Sequence, residues 1–87
     1  MNSITLAKLL LILYPDEIVQ IFMEREHKSE GYRYLTTKTA NDILEDDNNE
    51  YLLDSDIRVT NISIAYDCDY GCKVLEITVK EIPNESE

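Results

Sequence analysis

The side chains with chemistry in reach are paired carboxylates, two cysteines and one histidine. Asp46 with Asp47, Asp54 with Asp56, and Asp67 with Asp69 have the close spacing of a general acid–base pair. That chemistry needs one carboxyl desolvated, so that it keeps its proton near neutrality. All three pairs fall in stretches of turn composition, where water keeps both groups ionised, and catalysis is not expected of them. Cys68 and Cys72, with Asp67 and Asp69, would offer zinc two thiolates and two carboxylates. No second Cys or His pair accompanies them, and structural zinc normally takes four nitrogen or sulfur ligands, so neither a metal nor a cofactor is expected. His27 lies among Arg25, Glu26, Lys28 and Glu30 with no nucleophile placed beside it, and reads as a surface-loop histidine rather than a triad member. The stretch from Asp46 begins like a calcium loop, but Tyr51 stands where the glycine is needed and Ile57 where the bidentate glutamate is needed. With two glycines in the chain there is no phosphate-cradling loop. A non-enzymatic protein is expected.

The carboxylates are more informative as a surface. The net charge is −10, from 8 Lys and Arg against 18 Asp and Glu. Residues 1–39 carry five acids and five bases, whereas residues 40–87 carry thirteen acids against Arg58, Lys73 and Lys80. A chain so acidic is not expected to bind free nucleic acid or an anionic membrane, both of which call for a cationic face. A basic protein surface, such as a groove built for nucleic acid, suits it better. Asp42, Glu45, Asp46, Asp47, Glu50, Asp54 and Asp56 fall within fifteen residues, and Asp67, Asp69 and Tyr70 follow on a turn. These ten residues are the candidate partner-binding set. Tyr51, Tyr66 and Tyr70 are interleaved with the acids and could serve as anchors; alternatively Tyr66 belongs to the core and Tyr51 is half-buried. Set against the binding reading, the acids would only solubilise the chain.

The elements that must position these groups are legible to different degrees. Ile57 to Lys80 reads as a β-hairpin: Ile62, Ile64 and Tyr66 alternate with polar or small residues, as do Leu75, Ile77 and Val79. Gly71 can take the positive φ of a tight turn. Placing Ile64 opposite Ile77, Ile62 opposite Val79 and Tyr66 opposite Leu75 puts all six apolar groups on one face and leaves a two- or four-residue loop. Ile57 and Val59 are out of phase, so a β-bulge near Thr60–Asn61, or a strand starting only at about residue 60, is expected. In this register Cys68 falls on the core side and Cys72 on the outer side, which opposes a disulfide and favours two free thiols in a reducing compartment.

Upstream, Ser3 is a plausible cap for a helix reaching about Tyr14, with Leu6, Leu9, Leu10 and Leu13 on one face and Pro15 ending it. It is too short to cross a bilayer and apolar on more than one side. Its second face therefore lies in a crease or joins a second copy of the chain, making a homodimer. Ile18 to Arg25 reads as an inner strand, apolar on both faces, and Tyr32 to Thr37 as its neighbour across the polar Arg25–Gly31 connection. Thr39 could cap a short helix from Ala40 to about Asp46, followed by a solvated acidic loop over Glu45–Glu50. Tyr51–Leu53 is a short strand or a helical turn. Eighty-seven residues make a single domain over residues 1–82 with a polar tail at 83–87. The expected fold is α+β, in the order α-β-β-α-β-β, with a largely antiparallel four-stranded sheet packed by the apolar N-terminal helix. No signal peptide is read at the N-terminus, so a cytoplasmic location is expected.

The run Leu9-Leu10-Leu11-Ile12-Leu13-Tyr14-Pro15-Asp16-Glu17-Ile18-Val19 resembles the helix, Pro-Asp turn and strand that open many short phage and mobile-element proteins. In size and charge the chain is similar to anti-restriction and anti-CRISPR inhibitors. That resemblance implies a protein acting inside a host cell, blocking a defence nuclease by binding it, in some families as a nucleic-acid mimic. An RNA-guided nuclease is the partner it most suggests. The alternative is a small phage-type accessory or regulatory protein that dimerises through its Leu-rich helix.

Overall fold

The structure, a computed structural model, describes residues 4–24 and 31–82. His27 and the tail from residue 83 lie outside the described residues. The elements are α1 (Leu6–Ile12), β1 (Ile18–Glu24), β2 (Tyr32–Thr39), α2 (Ala40–Glu45), a 3₁₀ segment (Asp47–Leu53), β3 (Ile57–Asp67) and β4 (Cys72–Glu81). They form a small α+β structure around one four-stranded sheet, in the order β2-β1-β4-β3.

The sheet is mixed, which corrects the expectation of a largely antiparallel one. β1 pairs antiparallel with β2, and β3 with β4, but β1 and β4 run parallel. The cause is visible in the side chains. Val19 and Ile21 of β1 and Ile77 and Val79 of β4 are fully buried, so both strands belong in the centre. After β2 the chain crosses through α2 and the 3₁₀ segment to the far edge, lays down β3 there, and returns by a hairpin to place β4 beside β1.

The helical layer covers one face. Leu6, Leu9 and Leu10 of α1, Ala40 and Ile43 of α2, and Leu52 of the 3₁₀ segment form one cluster with Val19, Ile21, Ile57, Val59, Ile77 and Val79. Thr5, not Ser3, caps α1: its side chain accepts the Lys8 N–H. The helix cannot begin earlier, because the Ile4 carbonyl accepts the Val59 N–H at 2.8 Å and Thr5 bridges to Arg58 on the outer edge of β3. It ends at Ile12, short of Tyr14, where Leu13 turns extended and the Tyr14 carbonyl accepts the Glu17 N–H across the Pro15 turn. Thr39 caps α2 as expected, accepting the Asp42 N–H. The expected acidic loop is instead largely helical, and Tyr51–Leu53 takes the helical alternative. β2 runs two residues past Thr37, to Thr39.

The hairpin keeps the expected face but shifts register by two residues. Ile62 pairs with Ile77, Ile64 with Leu75 and Tyr66 with Lys73. A shift of two preserves which side each residue faces, so the apolar pattern could not distinguish the registers. The turn decides. The Asp67 side chain accepts the N–H groups of Asp69 and Tyr70, and its carbonyl accepts the Gly71 N–H at 2.8 Å. Asp67 then pairs with Cys72 across a four-residue turn in which Gly71 has φ +68°. Cys68 consequently belongs to the turn rather than to the core side, and both cysteines are exposed free thiols. The bulge lies where expected, between Val59 and Asn61. No helix among the described residues is long and apolar enough to cross a membrane.

Candidate functional site

Sequence separates Asp42–Asp46 from the hairpin turn by more than twenty residues, yet the fold joins them. The turn leans over the open face of the sheet, away from the helices. Gln20 Nε2 donates to Asp67 Oδ2 at 3.2 Å, and the Tyr70 hydroxyl donates to the Thr37 carbonyl of β2 at 3.3 Å. Val74, beside the turn, is buried although it lies outside the main core cluster. Tyr70 thereby reaches the corner where β2 passes into α2. There it lines a shallow cleft of about 450 Å³ together with Lys38, Thr39, Asp42, Glu45 and Asp46.

Within that corner Asp46 is the most constrained acid. Its Oδ1 accepts the Asn48 N–H at 2.9 Å and its Oδ2 takes the Lys38 ammonium at 3.0 Å. The Asn48 N–H first, and Lys38 second, hold its carboxyl below the ordinary range. The hydrogen bond and charge of Asp46 in turn raise the Lys38 ammonium. Asp42 and Glu45 are exposed on α2, and Asp69 is exposed on the turn. Asp46, Asp54 and Asp67 each accept the backbone N–H two residues on, so three members of the candidate set hold local backbone geometry.

Four members lie elsewhere. Asp47 and Glu50 are exposed on the 3₁₀ segment. Asp54 and Asp56 precede β3, at the end opposite the turn; the Asp56 carbonyl accepts the Ile82 N–H. Eleven residues of strand, at about 3.3 Å each, place them roughly 35 Å from Asp67. The ten candidates thus fall into a cleft group (Asp42, Glu45, Asp46, Tyr70), the acids Asp67 and Asp69 on the same turn as Tyr70, a flank and a remote pair. Tyr66, for which the core was the alternative, and Tyr51, for which half-burial was, are both exposed.

Sequence reasoning missed Lys38, the one cation lining the cleft among the described residues. Its signal was its place eight residues before Asp46, which identifies a partner only once β2 is known to run directly into α2. Among the described residues no group of three or more His, Cys, Asp or Glu is arranged to hold a metal ion. Comparison with protein-family models, with curated proteins and with solved structures finds no match to this chain.

Proposed function

We propose that the chain is a non-enzymatic inhibitor whose acidic corner occupies the basic nucleic-acid-binding surface of a host defence nuclease, an RNA-guided one in the first instance. The observation that carries this reading is the convergence of Asp42, Glu45 and Asp46 with the hairpin turn at Tyr70. Carboxylates from two separate segments then flank an exposed tyrosine, and the chain's −10 charge draws a cationic groove from a distance. Tyr70 supplies contact area with little entropy to lose, its hydroxyl being already tied to β2.

The reading names which acids matter. In nuclease cleavage and pull-down assays, the charge reversals Asp42→Lys, Glu45→Lys and Asp69→Lys together should weaken inhibition at least tenfold. The remote pair Asp54→Lys and Asp56→Lys should weaken it much less. Rising salt should slow association and loosen the complex. Inhibition indifferent to the corner reversals, or to ionic strength, would remove the basis of the proposal. A second reading, a phage-type accessory protein dimerising through α1, draws on Leu11 and Ile12, which are 68% and 74% exposed on that helix.

A further inference from the structure

The two edges of the sheet are built differently. β2, at one edge, carries Arg33 and Lys38 and is kinked by an irregularity opposite Ile21 and Phe22. Charge and irregularity are the usual protections of an edge strand against pairing with another chain. β3, at the other edge, has neither beyond its bulge: from Val59 to Tyr66 it contains no charged residue and no proline, within a chain of net charge −10. Among the described residues its outer side is engaged only at the start, by Thr5 at Arg58 and by the Ile4 carbonyl at Val59. From Thr60 to Tyr66 every second N–H and C=O points away from β4.

The side chains of this window are apolar on the helix-bearing face and uncovered there. Across the row Ile62–Ile77–Ile21 exposure runs from 44% to zero; in the row Ile64–Leu75–Val19 it runs from 70% to zero. The helical layer therefore reaches the start of β3, at Ile57 and Val59, and leaves Ile62, Ile64 and Tyr66 beyond the bulge uncovered. Tyr66, on the same face, is 65% exposed.

We infer that the β3 edge is a self-association surface, on which a second copy of the chain pairs antiparallel over Thr60–Tyr66 to give a continuous eight-stranded sheet. The window fits its own copy. A two-fold axis at Ser63 sets Ile62 against Ile64 of the other copy on the helix-bearing face and the small Asn61 and Ala65 against each other on the open face. It ends where Ile4 and Thr5 begin. The exposed parts of Ile62, Ile64 and Tyr66 amount to on the order of 400 Å² per copy, about half the area of a standard stable interface, with the backbone ladder and Asn61, Ser63 and Ala65 adding to it. The hairpin turns, and with them the acidic corners, then lie at opposite ends of the dimer.

Sedimentation equilibrium of the full chain should show a reversible monomer–dimer equilibrium that strengthens with added salt, because screening relieves repulsion between two anionic copies. This is the opposite of the salt dependence of nuclease docking, so either idea can fail without the other. Ile64→Lys, at an exposed position, should leave the circular dichroism spectrum unchanged and weaken the dimer at least tenfold, while Leu11→Glu should leave it intact. With Cys68→Ser and Cys72→Ser in place, Ser63→Cys should crosslink to its own copy on mild oxidation, since facing residues of an antiparallel pair have Cα atoms about 5 Å apart. A monomer throughout the micromolar to millimolar range would overturn the inference. So would a dimer lost with Leu11→Glu but not Ile64→Lys, or slow amide exchange across Asn61–Tyr66 in a monomer, which would mean that the chain covers this edge itself.

Discussion

Asp46 shows how one side chain can answer to two demands. It orients the first turn of the 3₁₀ segment through the Asn48 N–H and ties α2 to β2 through Lys38. Because its folded pKa is depressed, its contribution to stability is present above its ordinary value of 3.8 and is lost as pH falls through the lower folded value. Lys38 behaves in the opposite sense: its contribution is present below 10.5 and is lost as pH rises through its raised value. Asp46→Asn should therefore flatten part of the fall in melting temperature as pH drops below 3.8, read by circular dichroism, and leave the slope near neutrality unchanged. An unaltered acid limb would mean that Asp46 contributes nothing specific. Part of the residue-scale chemistry was legible beforehand: Thr39 reads as a cap, and Asp54 and Asp67 fall in turn sequences. That the two carboxylates bind their own backbone was not legible, since their charge assigns them to a partner surface.

At the scale of elements, the hairpin turn is the part with the most consequence. Asp67, Gly71 and Tyr70 respectively cap it, reverse it and moor it to β2. Gly71→Ala meets no atom within 4 Å, so its cost is purely conformational, about 1 kcal/mol for a residue held at positive φ. Tyr70→Phe removes the bond to Thr37 at a cost of about 1 kcal/mol or less, since the site is exposed. Hydrogen exchange should report the mooring directly, with amides of residues 68–72 exchanging faster in Tyr70→Phe while those of β1 and β4 stay unchanged. Equal exchange in both proteins would show that the turn holds its position without that hydroxyl. Alternation put Ile62, Ile64 and Tyr66 on the correct face but two residues out of register, because a shift of two is silent in a period-two pattern.

At the scale of the molecule, layer coverage governs which apolar residues stabilise the fold. Ile77 and Ile64 are the same residue type, on the same face, in neighbouring strands. One is fully buried and the other mostly exposed. Ile77→Ala should cost about 2–5 kcal/mol, whereas Ile64→Ala should stay within about 0.5 kcal/mol. Urea unfolding at sub-micromolar concentration, where self-association would contribute least, would check this. Comparable losses at both sites would mean that the helical layer reaches Ile64 after all. The split of charge at residue 40 has a similar lesson. It was visible in the sequence, but it did not say that Asp54 and Asp56 would lie a strand's length from Asp67.

By itself the sequence determined what depends on neighbours along the chain. That includes an α+β order of elements, Thr39 as a cap, a turn with glycine at positive φ, and a strongly acidic second half. These follow from local sterics, backbone hydrogen bonding and the count of charges. Only the tertiary structure decided that β4 runs parallel to β1, that Tyr70 shares a cleft with Asp42 and Asp46, and that Ile62 and Ile64 stay uncovered. Each depends on where a crossing connection sets its element down and how far a short helix reaches across a sheet, and no local pattern encodes either distance.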